Sequence, residues 1–139
     1  MKIAGVVTIV LAIALAVVPM FSDCESQGRM LTLESGRQIP MKCHWTGLAE
    51  LALSIPLAAV GLMMIFSRKQ ESRRVLGITG IVLGIMAILL PTALIGVCMD
   101  PHMTCVSIMK PALILAGALA LGIGLVVLVV ARGKEKDLA

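Results

Sequence analysis

The chain has 139 residues and a formal net charge of +4, and hydrophobic residues make up 59% of it, which gives a mean hydropathy of +1.04. Charged residues make up only 14%, against about 25% in an average water-soluble domain, so the composition excludes an ordinary soluble protein. The length allows one domain.

Four apolar runs follow one another along the chain. Each approaches the roughly 20 residues that a helix needs to cross about 30 Å of hydrocarbon. Lipid offers no hydrogen bonds to the backbone, so such runs must form helices. We therefore predict an all-α integral membrane four-helix bundle, with residues 1–139 forming a single transmembrane domain. The predicted spans are residues 3–21, 47–66, 75–97 and 112–131.

The first run has two interpretations, a retained helix or a cleaved signal peptide. No Ala-x-Ala site follows it, and the residues before Cys24 form a poor lipoprotein cleavage box. We therefore expect the first helix to be retained.

Lysine and arginine are distributed unevenly between the connections. Four of them crowd the link at 67–74, and others flank the first span and the tail at 132–139. The loops at 22–46 and 98–111 carry fewer for their length, offset by acidic residues. Because basic segments stay in the cytoplasm, we predict a multi-pass protein of the cell (cytoplasmic) membrane, with both termini inside and these two loops outside. The basic residues lack interleaved aromatics, so no nucleic-acid partner is expected.

The chain contains an internal repeat. Residues 3–19 align with 75–91, which places Gly5 on Gly77. In both copies a proline, a cysteine and a Met-x-Cys segment follow, and a Gly-Leu pair comes late in the returning helix. This pattern predicts two tandem helical hairpins in the same orientation, related by an axis along the membrane normal.

Small residues recur at four-residue spacing in the second half of the chain. Such residues let helix backbones approach closely in lipid. We expect them to mediate helix packing, and they are Gly80, Gly84, Ala116, Ala120 and Gly124.

All four cysteines fall in the predicted outer loops, on the oxidising face of a cell membrane, where disulfides persist. We expect Cys24 to pair with Cys43 and Cys98 with Cys105, while two other connectivities stay open. A bridge at the base of the first loop would close about 20 residues, worth roughly 3 kcal/mol on the loop-entropy model. Within that loop Ser35-Gly36 is a turn signal, so the small extracytoplasmic cap is expected to include a β-hairpin.

A polar stripe is expected on the second helix, because Thr46, Glu50 and Ser54 recur at every fourth position. A carboxylate inside a span is costly, commonly faces the bundle interior and marks a functional site. The alternative is that Glu50 reaches the headgroup layer or pairs with Lys42 or Lys110.

The cysteines, histidines and methionines of the outer loops allow three interpretations. Two disulfides could simply hold the loops. Soft sulfur and imidazole ligands suit copper(I) or zinc, although the spacing matches no standard zinc pattern. Four helices with two outer cysteine pairs also resemble the membrane oxidases that re-oxidise periplasmic disulfide catalysts and reduce quinone, but those carry a reactive Cys-x-x-Cys that this chain lacks. The candidate metal ligands are Cys43, His44, Met99, His102, Met103 and Cys105.

Three segments, MKCHWTGLAE, LLPTALIGVC and HMTCVSIMKPAL, resemble the signature segments of a family of small uncharacterised four-span membrane proteins from bacteria and archaea, mostly anaerobes. The resemblance covers nearly the whole chain and implies the same topology. Some members are encoded beside ABC-transporter subunits with extracytoplasmic domains, which implies a partner of that kind. The positions to which the resemblance gives weight are Cys24, Cys43, His44, Cys98 and Cys105.

Taken together, these features predict a structural or accessory membrane protein that presents disulfide-stapled outer loops to a partner, plausibly an ABC-transporter-type complex. We expect no enzymatic activity and no cofactor. The expected partners are the lipid bilayer and either another membrane protein or a second copy of the chain. The alternatives are an extracytoplasmic soft-metal binding protein and a quinone-linked thiol–disulfide oxidoreductase.

Overall fold

Four long helices account for most of the computed structural model, which describes residues 2–22, 24–25 and 28–136, the side chains of 134–136 excepted. The end of the predicted tail, 137–139, lies outside the described residues. In chain order the elements are α1 (Lys2–Ser22), β1 (Leu31–Thr32), β2 (Gln38–Ile39), α2 (Lys42–Phe66), α3 (Gln70–Leu89) and α4 (Lys110–Lys136). A π-helical turn, Leu90–Leu94, extends α3, and a second, Cys105–Met109, leads into α4.

Each of the four helices is long and apolar enough to cross a membrane. Only 33% of the residues in each most apolar window are buried inside the protein, so the bundle turns most of its apolar surface outward. An outward apolar surface of this extent suits lipid and not water. The predicted all-α membrane bundle is confirmed.

The helices form two hairpins, because α1 packs mainly on α2 and α3 packs mainly on α4. Glycines make these contacts close. A Cβ added at Gly5 would lie 2.7 Å from the carbonyl oxygen of Gly61, and one added at Gly124 would lie 2.9 Å from that of Gly77. Gly5 and Gly77 are the glycines that the repeat aligns, and their partners are the glycines of the two Gly-Leu pairs. The two tandem hairpins are thus built alike.

The small residues of the second hairpin lie where close packing was expected. A Cβ on Gly84 would lie 2.6 Å from the backbone nitrogen of Leu121 and 2.9 Å from the carbonyl oxygen of Gly117. Gly80 is less tight, with an added Cβ 3.7 Å from the Cα of Gly124. Ala116 and Ala120 are buried in the core.

The second π-helical turn adjusts the register of the repeat. Cys43 precedes Gly61 by eighteen residues, whereas Cys105 precedes Gly124 by nineteen. A π-helical turn accommodates one extra residue within an otherwise regular helix, and Cys105–Met109 is such a turn. C-terminal to this turn, each residue of α4 is as many residues before Gly124 as its counterpart in α2 is before Gly61.

The loop between α1 and α2 contains the expected β-hairpin. β1 and β2 are antiparallel, with Leu31 opposite Ile39. The Leu33 N–H donates to the Arg37 carbonyl oxygen at 3.0 Å, and Gly36 has a φ of 77°. Glycine occupies such a left-handed position without the steric cost that a Cβ imposes, which explains the Ser-Gly turn signal.

The helices begin or end away from the bounds of the apolar runs. α3 with its π-helical turn ends at Leu94, before the predicted end of the span at 97, because the chain turns at Gly96, whose φ is 77°. Other helix ends extend beyond the runs. α2 begins at Lys42, so Cys43, His44 and Thr46 belong to its first turns and not to a loop. The π-helical turn that leads into α4 likewise begins at Cys105. Polar residues at helix ends continue the backbone pattern outside the hydrocarbon, where hydropathy alone gives no signal.

Candidate metal centre

The four cysteines come from four different places in the chain but lie at one end of the bundle. Cys24 lies in the turn after α1, and Cys43 lies in the first turn of α2. Cys98 lies in the irregular segment after α3, and Cys105 begins the π-helical turn before α4. Each hairpin therefore contributes one cysteine from its outgoing arm and one from its returning arm.

The four sulfur atoms form a compact group. The Sγ of Cys43 lies 3.4 Å from that of Cys98, and the Sγ of Cys24 lies 3.8 Å from that of Cys98 and 3.6 Å from that of Cys105. All four Sγ atoms lie within 4.8 Å of one another. Zn–S bonds of about 2.3 Å in a tetrahedron put neighbouring sulfurs about 3.8 Å apart. Three of the six Sγ–Sγ distances are 3.4–3.8 Å and all are within 4.8 Å, so the group is small enough for its members to bind a single ion.

The repeat explains why the group has four members. Cys24 and Cys98 each follow the proline of an outgoing helix, and Cys43 and Cys105 each end a Met-x-Cys segment. The repeat predicts a pseudo-two-fold axis between these two pairs, and a tetrahedron also has two-fold axes.

The cysteines are free thiols, so disulfide pairing, in the expected or another connectivity, stays a prediction. Cys24, Cys43 and Cys105 are buried, while Cys98 is half-buried. Burial raises the pKa of the Cys24 thiol, and the neighbouring thiols of Cys43 and Cys105 raise it further. A bound cation reverses this tendency because it stabilises the thiolate.

The methionines of the two Met-x-Cys segments pack against the core. The Sδ of Met41 lies 3.9 Å from the Sγ of Cys98, so its polarizable side chain fills space beside a thiol. Met103 is partly buried against the hydrophobic core cluster to which Cys24, Cys43 and Cys105 belong.

The histidine expected as a ligand has a different position. The Nδ1 of His44 lies 2.6 Å from a carboxylate oxygen of Glu25. Because these two residues directly follow Cys43 and Cys24, their side-chain contact links two cysteine-bearing segments.

Only part of the expected ligand set comes together. Met99 is fully exposed, and His102 is exposed with its backbone N–H donating to Asp100. Sequence reasoning missed that Cys24 and Cys98 complete the group. The signal that could have found them was the repeat, which makes them equivalent to each other. Of the six candidates, Cys43 and Cys105 are in the group, and Met103 packs against the core cluster that contains them. His44, Met99 and His102 are not part of the group.

Two lysines lie on the side where Cys98 is accessible. Lys42 and Lys110 line a cavity of about 600 Å³ together with Cys98 and Met41. Four thiolates around a divalent ion carry a net charge of −2, so two ammonium groups near them would reduce the field that the site imposes on the surrounding apolar region.

The polar stripe of α2 faces the interior, with Thr46, Glu50 and Ser54 all buried. The Oγ1 of Thr46 donates to the carbonyl oxygen of Gly96 at 2.6 Å, and the Oγ of Ser54 donates to that of Leu51 at 2.6 Å. Neither carboxylate oxygen of Glu50 has a hydrogen-bond partner among the described residues. In the described part of the chain the carboxyl therefore pairs with neither lysine.

A family model matches residues 4–130, which is most of the chain and includes all four cysteines. The chain belongs to this family, described as a domain of unknown function (DUF4418). No curated protein and no solved structure matches the chain. Membership in DUF4418 names no reaction, so the cysteine group and its surroundings carry the functional conclusion.

Proposed function

We propose that the protein is a four-span membrane protein that binds one soft metal ion through its four cysteine thiolates. Zinc is the first candidate for this ion, and copper(I) is the second. The observation that supports this function is the mutual approach of four Sγ atoms within 4.8 Å. The thiols come from four separate segments and meet at one end of the bundle. Binding of a single ion by all four thiolates would account for this convergence.

The spacing favours a single ion over an iron–sulfur cluster. In such a cluster the four cysteines are divided between two or four iron atoms that bridging sulfides join, so cysteines on different irons have their Sγ atoms further apart than ligands of one metal. Sulfur contacts of 3.4–3.8 Å fit the edges of one tetrahedron.

Charge favours zinc over copper(I). Four thiolates leave −2 around a divalent ion and −3 around a monovalent one, and unbalanced charge is costly beside lipid. Zinc also takes four tetrahedral thiolates in its structural sites, which are closed. The thioethers of Met41 and Met103 favour copper(I), because soft ligands select that ion. Copper(I) is therefore the second metal to be tested.

The bound ion would hold the loops together, which is the role that the sequence analysis predicted for two disulfides. Structural zinc contributes folding free energy directly, so it would fix the outer ends of all four helices. The accessory role follows from this arrangement: a rigid cap, with the exposed β-hairpin, is presented to a membrane partner, for which an ABC-transporter-type complex stays the prediction. Chemical cross-linking in native membranes, followed by identification of the linked chain, tests the partner.

Oxidation of two thiols to a disulfide by a quinone is the second candidate, favoured by the 3.4 Å contact between the sulfurs of Cys43 and Cys98. In that reaction two thiols lose two protons and two electrons to a quinone, which becomes a quinol, and an S–S bond forms. The metal-free protein would then be the active form.

Elemental analysis and intact mass of one purified sample separate these functions. We expect about one zinc per chain, and four thiols that resist alkylation until a chelator is added. Replacing any one cysteine with serine should abolish stoichiometric zinc. His102→Ala is the matched control, because this exposed neighbour should leave the zinc content unchanged.

Three results would contradict the metal function. A metal-free sample whose mass shows two disulfides would support stapled loops. A thiol content that falls on addition of quinone would support the oxidoreductase. Zinc that persists in the serine variants would place the ion elsewhere.

A further inference from the structure

The buried carboxyl of Glu50 has no structural explanation in the fold. It is among the fully buried side chains, and the described residues give neither oxygen a hydrogen-bond partner. An ionisable group in this position within a span is costly, and it commonly marks function. Thr46 and Ser54, on the same stripe, do have hydrogen-bond partners.

The second hairpin shows that this position does not require a carboxyl. Leu113 precedes Gly124 by eleven residues, just as Glu50 precedes Gly61 by eleven. Leu113 is 1% exposed and Glu50 is 0% exposed, so the two side chains occupy equivalent buried places. One copy of the repeat packs a leucine where the other buries an acid.

Glu50 lies two helical turns from the sulfur group along α2, toward the middle of the bundle. It follows Cys43 by seven residues, which is two helical turns and about 10 Å along the axis, on the same face of α2. Both residues are fully buried. The carboxyl therefore lies between the sulfur group and the middle of the bundle.

The two hairpins are joined less firmly than each is held together. Paired glycines bring α1 against α2 and α3 against α4, and the contacts of α1 with α4 and of α2 with α3 are much less extensive. A metal held by two cysteines from each hairpin crosses this weaker interface.

Building on the proposed metal function, we propose that the ion acts as a clasp between the two hairpins, and that the buried Glu50 makes them separate when the ion leaves. Burying the acid costs free energy in the closed bundle, and the metal–sulfur bonds offset that cost. Without the ion, separation at the outer end lets water reach the carboxyl. Glu50 thus makes the cap responsive to metal instead of permanently closed.

Carbodiimide labelling tests the opening directly. Dicyclohexylcarbodiimide, which partitions into membranes, adds to an accessible protonated carboxyl to give a stable acylurea. We expect label on Glu50 in chelator-treated protein and little in zinc-loaded protein, as measured by peptide mass spectrometry. Glu50→Gln removes the reactive group and should abolish that label. Equal labelling of both forms, or no labelling of either, would contradict the proposal that the hairpins separate when the ion leaves.

The rate of zinc loss to excess chelator is the second test. Glu50→Leu copies the residue of the second hairpin and removes the cost of burying an acid, so zinc loss should slow about tenfold. Ser54→Ala is the matched control, since its hydroxyl already has a partner, and it should lose zinc at the unmodified rate. Unchanged zinc loss in Glu50→Leu would contradict the proposal.

The two proposals fail in different ways. If the unmodified protein binds no metal, the proposed function fails. If it binds one ion with all four cysteines but neither labelling nor zinc loss changes as expected, only the clasp fails. Should Glu50→Leu not fold, labelling of the unmodified protein still decides the question.

Discussion

Thr46 links the start of α2 to the segment that carries Cys98. Its hydroxyl donates to the carbonyl oxygen of Gly96, two residues before that cysteine. Gly96 has a φ of 77°, a conformation that glycine adopts readily and that turns the chain away from the helix. One hydrogen bond therefore connects α2 to the Cys98 segment of the other hairpin.

Thr46→Val should weaken zinc binding by about threefold to tenfold, because a typical hydrogen bond contributes about 0.5–1.5 kcal/mol. Competition with a chelator of known affinity measures the change. Thr79→Val is the matched control, since the Thr79 hydroxyl donates only to Val75 of its own exposed helix face. Equal affinities of Thr46→Val and unmodified protein would show that this bond does not position the ligand.

At the scale of helices, the glycine pairs decide how closely the two arms of a hairpin approach. A Cβ on Gly61 would lie 2.8 Å from Ile9 and 2.9 Å from the carbonyl oxygen of Gly5. The second contact is with backbone, which cannot rotate away as a side chain can. A larger residue must therefore push α1 and α2 apart.

Gly61→Leu should lower the free energy of unfolding by about 2–3 kcal/mol or more, because overpacking a close contact forces the backbone to shift. Unfolding by a denaturing detergent, followed by circular dichroism, measures the loss. Gly122→Leu is the matched control, with no atom within 4 Å of an added Cβ, and it should stay within about 0.5 kcal/mol. Similar losses in both variants would contradict the packing explanation, because leucine has a higher helix propensity than glycine and a loss at Gly122 could not come from packing against another helix.

The helices and their pairing could be predicted because both follow from local pattern. Apolar length predicts a span, and the aligned Gly5 and Gly77 predict the hairpins. The close approach of Gly117 to Gly84 could not be predicted, since the importance of a glycine in packing depends on which residue lies against it. The π-helical turn that extends α3 contains Pro91, which has no N–H to donate, but the sequence does not tell whether such a residue kinks a helix or widens one turn.

The sulfur group could be predicted only in part. Each loop suggests its own cysteine pair, because residues close in sequence are the natural partners. Contact between Cys43 and Cys98 joins different hairpins, and it depends on how the hairpins pack. The same limit applies to Glu50: its spacing predicts an inward face, but not the missing partners within the described residues.

For the molecule as a whole, the charge pattern predicts that the sulfur group faces outward from the cell. A membrane-impermeant maleimide tests this orientation on intact cells treated with chelator and reductant. The native cysteines should react, whereas Ser72→Cys, introduced at an exposed position of the 67–74 link in a cysteine-free chain, should react only after permeabilisation. The opposite labelling would invert the topology.

The division of the ligands between the hairpins has a consequence for how such a chain could arise. Because each hairpin supplies one outgoing and one returning cysteine, two identical hairpins side by side would already present a full coordination sphere on their shared two-fold axis. Fusing two copies into one polypeptide keeps that sphere but frees the copies to diverge. Position 113 can then remain leucine while position 50 becomes an acid. The separation of the hairpins that we propose for Glu50 could therefore arise in one copy without any change to the four cysteines.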